Sequence, residues 1–324
     1  MNYQHMVRMA VIPCVVAALP VLALETTGET RIAKWKYDRQ AAFLLMFDDS
    51  EPSHLKYVIP ELEKRDLMGT FFIVPGAPWY DKNAWETKVP LTRMELGNHT
   101  LHHSGATNSV VAEAEIAGCQ EVLHRIYPDR KNPRLIVFAY PGGSPWTLSA
   151  AEKAAMLKQN HFITRPPPAG HFGGVDLKTG TALVQVLDRA LTNGSMEHLS
   201  FHGVGGDWLS VSLPDFTQLL DAMVANRDKL WVTDPVSLHK YESERDQAKV
   251  QVLEQQPGGL RLALHGLKDP LYDEALTLIT PVPADWKKCS VTQGDQVATV
   301  SAVQGSIQYE ALPDGPDIVI KPVR

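Results

Sequence analysis

One apolar run does most to limit what this chain can fold into: Ala41-Ala42-Phe43-Leu44-Leu45-Met46-Phe47, closed by Asp48-Asp49-Ser50. A continuous apolar stretch of about 4–8 residues between turn-formers reads as a strand buried on both faces, as in a parallel sheet. In α/β folds ligands gather at the carboxyl ends of such strands, which is where Asp48 and Asp49 stand. Two adjacent acids at a sheet rim repel each other, and binding a cation relieves that repulsion. Downstream lies Asn98-His99-Thr100-Leu101-His102-His103. His99 and His103 are four positions apart, a spacing that places two imidazoles on one face of a helical turn. His102 adjoins His103, so both cannot face one ion, and His99 with His103 is the better pair. One carboxylate with two histidines leaves coordination positions open for water and substrate, as a catalytic metal site does.

The rest of the chain supports this frame. Candidate strands begin at Ala41, Thr70, Glu95, Leu135, His161, His198 and Leu230, with helical patterns between them. Seven such β-α units predict a barrel or a nearly closed one. Ala112, Ile116, Cys119, Leu123 and Ile126 form one helical stripe, and Leu183, Leu187, Ala190 and Leu191 another. Ser212 before Pro214 and Asp215 reads as the cap of a helix carrying Phe216, Leu219, Leu220 and Met223.

At 324 residues the chain is long enough for two domains. After Arg245 the texture changes to short alternating segments such as Leu260-Arg261-Leu262-Ala263-Leu264, punctuated at Pro257-Gly258-Gly259 and Pro313-Asp314-Gly315. This reads as a small all-β domain, a sandwich, with Tyr272, Trp286 and Tyr309 as candidate sugar-stacking residues and packing as the stronger alternative. Met1 to Ala23 reads as a signal peptide, with Arg8 ahead of an apolar run too short for a membrane span. Export follows, secreted or periplasmic, with no stable membrane anchor; Pro13 before Cys14 argues against lipidation. Past that leader only Cys119 and Cys289 remain, and nothing indicates that they pair. A net charge of −6 without basic blocks excludes nucleic acid as a natural partner.

Four segments together resemble a known family. Phe47-Asp48-Asp49-Ser50, Gly97-Asn98-His99-Thr100-Leu101-His102-His103, Phe138-Ala139-Tyr140-Pro141-Gly142-Gly143 and Leu199-Ser200-Phe201-His202 are similar to the successive motifs of polysaccharide deacetylases, the NodB-homology proteins of carbohydrate esterase family four. The resemblance covers roughly Trp35 to Arg245. It implies an α/β fold, a distorted (β/α)7 barrel of the NodB-homology type, and it leaves out the small all-β C-terminal domain read above from the sequence texture. The domain division expected is 1–23 signal peptide, 24–247 deacetylase domain and 248–324 accessory domain.

The resemblance also implies roles. Asp49, His99 and His103 would hold one divalent metal, usually zinc. Asp48 would be the general base toward the attacking water, His202 the acid toward the leaving amine, and a backbone N–H near Gly142 part of the oxyanion site. Read from their places in the chain, Tyr140, Trp79, Trp85 and Trp208 are candidates for contact with the sugar, with core packing the equal alternative for Trp79 and Trp85, and Asp207 and Trp208 are candidates to orient His202 or wall the pocket. Two departures stand out. The arginine that opens the family's third motif is Ala139 here, and the Asp-Trp pair of the fourth motif has no match between Gly143 and Thr192. Arg165, at the end of the strand after His161, is the candidate to reach Asp48 in place of the missing guanidinium. The activity implied is deacetylation of an extracytoplasmic N-acetylated polysaccharide or oligosaccharide. An O-acetyl esterase of the xylan type and a non-catalytic carbohydrate-binding protein are the alternatives.

Overall fold

The computed structural model describes residues 29–166 and 171–323, so the leader expected over 1–23, with Cys14, lies outside the described residues. After a two-residue strand β1 (Arg31–Ile32) come β2 (Ala41–Asp48), β3 (Thr70–Ile73), β4 (Glu95–Asn98), β5 (Ile136–Phe138), β6 (Phe162–Thr164), β7 (Phe172–Gly173), β8 (Met196–Phe201) and β9 (Leu230–Thr233). Seven of these start within two residues of the expected positions; β7 is the addition. The strands pair in parallel in the order β6-β5-β4-β3-β2-β8-β7. β9 shares an edge of β2 with β3, since Ala41–Leu44 pair with Leu230–Thr233 and Met46–Asp48 with Thr70–Phe72. The result is a curled half-barrel, the α/β architecture expected.

Every residue of β2 is buried because both faces of the sheet are covered. On one face Phe43, Leu45, Phe47, Phe71, Phe138 and Phe201 pack against the helices, which run as α1 (Ile59–Lys64), α2 (Ser109–Ile126), α3 (Ala150–Gln159), α4 (Gly180–Asn193) and α5 (Leu213–Ala225). Each side chain of this size adds about 1.5–3 kcal/mol when fully buried. The three helical stripes read from the sequence point into this core. Their ends are set by local chemistry: Asn108, Thr179 and Ser212 accept backbone N–H groups at the starts of α2, α4 and α5, and Gly194 closes α4 in the left-handed conformation.

On the other face, Ala42, Leu44, Met46, Phe72, Val137 and Ala139 meet Trp35 together with Leu238 and Tyr241 of α6 (Pro235–Gln247). Through these residues the core runs on into the C-terminal β layers. Those comprise β10 (Lys249–Gln256), β11 (Gly259–His265), β12 (Leu276–Pro281), β13 (Lys288–Gln293), β14 (Gln296–Ser301), β15 (Ser306–Ala311) and β16 (Ile318–Pro322). They form two antiparallel sheets, β10-β11-β16-β13-β14 and β1-β12-β15, with Leu262, Leu278, Ile307 and Ile320 in the core they share. β1 thus joins the C-terminal sheet before the chain enters the parallel one.

The C-terminal aromatics do not form a sugar-stacking face. Trp286 and Tyr309 are buried in the core, and the Tyr272 hydroxyl meets His239 Nε2 of α6 at 3.1 Å. Cys119 and Cys289 are both buried and free. Among the described residues no helix is long and apolar enough to cross a membrane.

Candidate metal centre

The site is assembled at the carboxyl ends of adjacent parallel strands. β2 delivers Asp48 and, just past its end, Asp49. The loop after β4 delivers His99 and His103, β5 leads into Ala139 and Tyr140, β6 into Arg165, and β8 into His202. Asp49 Oδ1 lies 3.3 Å from His99 Nε2 and 3.2 Å from His103 Nε2, and Asp49 Oδ2 lies 3.7 Å from His202 Nε2. One ligand atom from each of Asp49, His99 and His103 falls within 4.8 Å of the others. Asp49 Oδ1 is buried and makes no hydrogen bond of acceptable geometry. A buried acceptor facing two imidazole nitrogens is the donor set a transition metal takes, so these residues fit a divalent cation.

The histidines reach this point without a helical turn, which corrects the expectation from their spacing. Residues 99–103 are a loop in which Thr100 (φ 69°) and His103 (φ 56°) are left-handed. Side-chain and backbone bonds hold it. Asn98 Oδ1 accepts the Thr100 N–H at 2.9 Å, and Leu101 N–H donates to Glu115 O at 2.8 Å. His102 is turned away, its N–H and its Nδ1 both bound to the Glu115 carboxylate at 2.9 Å. His99 Nδ1 donates to the Ala139 carbonyl at 2.9 Å, which leaves the Nε2 lone pair facing Asp49. Position 139 therefore orients the site through its carbonyl oxygen.

Arg165 Nη1 lies 2.6 Å from both carboxylate oxygens of Asp48. Its guanidinium carbon stands 5.3 Å from the Phe72 ring and 5.8 Å from the Phe172 ring. β6 and β7 are the two ends of the strand order, so this contact brings opposite edges of the curled sheet together over Asp48. Phe172, which the sequence reading missed, also stacks on His202 at 5.0 Å and 15°. Trp208 meets the same imidazole edge-on at 4.8 Å. Asp207 does not orient it; its Oδ2 accepts the Ser53 N–H at 2.6 Å.

These residues wall a cleft of about 610 Å³ lined by Asp48, Asp49, His99, His103, Tyr140, Gly142, Arg165, Phe172, His202 and Trp208. Of the four aromatic candidates, Tyr140 and Trp208 reach it. Trp79 is half-exposed beside Asp49, its Nε1–H donating to the Asp49 carbonyl at 2.9 Å. Trp85 is fully buried against Phe71 and Tyr80, so it is a packing residue and the expectation of substrate contact is corrected.

Burial acts on the titrating groups here. It pushes the Asp49 carboxyl up, but with the surrounding imidazoles protonated, the His99 contact and the charges of His99, His103 and His202 outweigh it and hold the group below its ordinary value. Burial lowers His202 against the opposing pull of Asp48 and Asp49. Burial, then the Asp207 and Asp49 charges, raise Glu51 to about 7.

His54, also missed from sequence, locks the first motif to the last. Its Nε2 donates to the His202 carbonyl at 2.7 Å, while Ser53 Oγ accepts the Val204 N–H at 3.1 Å. It is fully buried, and burial lowers its pKa from 6.5 to about 4. The unfolded chain therefore binds this proton more readily, and the stability is present above pH 6.5 and lost as pH falls toward 4. The loss expected from His54 over that window is about 3 kcal/mol. Urea midpoints at pH 7 and pH 5 should show it, and His54→Gln, a non-titrating N–H donor, should flatten the dependence; an unchanged slope would assign it elsewhere.

Parts of the chain are similar to known proteins. Residues 36–160 match the family profile described as polysaccharide deacetylase. A gellan lyase from a Bacillus species is 22% identical over 334 residues, covering 91% of this chain, which spans 13% of that protein's length. Among solved structures, a family 4 carbohydrate esterase from Streptomyces lividans in complex with acetate is 16% identical, covering 60% of this chain and 93% of its own, with a TM-score of 0.43. A peptidoglycan deacetylase from Bacillus subtilis is 16% identical, covering 60% and 88%, at a TM-score of 0.41. A family 4 pseudoenzyme from Bacillus anthracis is 17% identical, covering 59% and 63%, at a TM-score of 0.42. Residues 36–160, the stretch that matches the polysaccharide deacetylase profile, are also the stretch that supplies Asp48, Asp49, His99 and His103.

Proposed function

We propose that this chain is a divalent-metal-dependent hydrolase that removes acetyl groups from an N-acetylated polysaccharide or oligosaccharide outside the cytoplasm. The observation that carries the reading is the convergence of Asp49, His99 and His103 beside a second, separately held carboxylate, Asp48. Asp49, His99 and His103 would hold one cation, zinc by donor type. Bound there, such an ion supplies Lewis-acid polarisation of the acetyl carbonyl and makes an attacking water more acidic.

The remaining chemistry belongs to the side chains. Asp48, its oxygens held by Arg165, takes the proton of the attacking water. His202, stacked on Phe172, gives a proton to the departing amine. Gly142, on the cleft wall, offers a backbone N–H toward the carbonyl oxygen, and Tyr140 and Trp208 offer ring faces to the sugar. Export rests on the apolar leader at the N-terminus. In this reading residues 24–247 form the deacetylase domain and 248–324 an accessory domain, with Arg31–Ile32 lent to the accessory sheet.

The test is acetate release from acetylated chitin oligomers, peptidoglycan and acetylated xylan, with and without chelator. Expected is release from an N-acetylated substrate, abolished by chelation and restored by zinc. His202→Ala should lower amide turnover about 10²–10⁴-fold and spare acetate esters, whose leaving group needs its proton less. Preferred release from xylan would make the chain an O-acetyl esterase. Zinc binding with no release from any substrate would make it a carbohydrate-binding protein on this fold.

A further inference from the structure

We propose that Trp79 is a positioning residue for the metal centre, its indole N–H holding the backbone from which the Asp49 carboxylate projects. The proposal rests on the reading of Asp49 as a metal ligand.

Asp49 (φ 73°) and Ser50 (φ 55°) are consecutive non-glycine residues in the left-handed region. Such a pair persists only where the surroundings over-determine it. Two bonds do so here. Trp79 Nε1–H donates to the Asp49 carbonyl at 2.9 Å, and Val74 N–H donates to Ser50 Oγ at 2.9 Å. Both donors belong to one short segment that follows β3.

That segment also touches the other ligand-bearing loop. Gly76 N–H donates to the Leu101 carbonyl at 2.7 Å, and a Cβ at Gly76 would lie 2.4 Å from the His102 ring. Two successive turns stiffen the segment, Ala77 N–H to Val74 O and Tyr80 N–H to Ala77 O, each 3.0 Å. Tyr80 then anchors it by stacking on buried Trp85 at 6.2 Å and 9°. Residues 74–80 thus form a bracket with the carboxylate loop bonded to one side and the histidine loop to the other. The spacing between Asp49 and the two imidazoles is a property of this bracket, and the indole N–H is its attachment to the carboxylate side. The Trp79 side chain is 48% exposed, so packing alone does not account for an indole here.

Trp79→Phe keeps an aromatic ring and removes the N–H. Expected is zinc binding weakened about 10–100-fold in chelator competition, the range for losing a group that orients a ligand. The melting temperature of the chelated protein should not change. Trp79→Ala should weaken zinc no further than Trp79→Phe, because the N–H is the part that acts. Wild-type zinc affinity in Trp79→Phe would overturn the proposal, and so would a loss matched by lower stability of the chelated protein. Retention by Phe with loss by Ala would assign the effect to the ring and overturn it too. Failure of the wild-type chain to bind zinc would overturn the metal reading itself, before any variant is made.

Discussion

Asp49→Asn is expected to abolish zinc retention and to lower acetate release about a thousandfold while the fold stays intact. The substitution is nearly isosteric, and asparagine tolerates the left-handed conformation that position 49 adopts at φ 73°. What it removes is the one anionic donor between His99 and His103, 3.3 and 3.2 Å away. A metal in such a site supplies several kcal/mol of transition-state stabilisation, and ~4 kcal/mol is about a thousandfold in rate. The fold should not suffer, because Asp49 Oδ1 is a buried acceptor that satisfies no donor in the protein. Zinc content after dialysis, acetate release and the melting temperature of the chelated protein measure the three parts. A variant that keeps both zinc and activity would remove Asp49 from the site.

Arg165→Ala is expected to lower turnover about a hundredfold or more and also to lower stability. The guanidinium lies 2.6 Å from both oxygens of Asp48, and both side chains are nearly sealed from solvent. Removing one partner of a buried pair strands the other charge, at a cost of about 3–5 kcal/mol. A base displaced by about 1 Å costs on the order of a hundredfold in rate. Arg165→Lys should restore part of the activity, since one nitrogen, Nη1, makes both contacts to Asp48 and an ammonium at that point keeps the charge. Added guanidine should restore part of the turnover of Arg165→Ala without changing KM. A purely structural arginine would show the stability loss without that rescue.

Much of the sheet was legible because long apolar runs have few alternatives. Ala41–Phe47 can only be buried on both faces, and the acids that close it then stand at the carboxyl rim. β7 escaped notice because two residues, one of them Gly173, carry no periodicity. The pattern showed that His99 and His103 could share a target but not how. A spacing of four is produced by a helical turn and equally by a loop with two left-handed residues, and the second is what Asn98 and Glu115 enforce. The aromatic candidates divided by burial, which residue type does not reveal: Trp208 walls the cleft, while Trp85, Trp286 and Tyr309 fill cores. His54 gave no signal as a lone histidine, although its place right after Asp48-Asp49 and a strand end could have raised it. Arg165 came into view only through what was missing at Ala139.

The meeting of β6 and β7 over Asp48 has a mechanical consequence. Everywhere else in the parallel sheet, neighbouring strands are spaced by backbone hydrogen bonds, and that distance cannot be adjusted. Among the described residues the contact along this one seam is between side chains, Arg165 from one edge and Phe172 from the other. The mouth over Asp48 can therefore be widened or narrowed by exchanging side chains, with no strand pair broken. The width of the cleft and the hydrogen-bonded frame are separable in this chain, because the opening was left where the frame does not close.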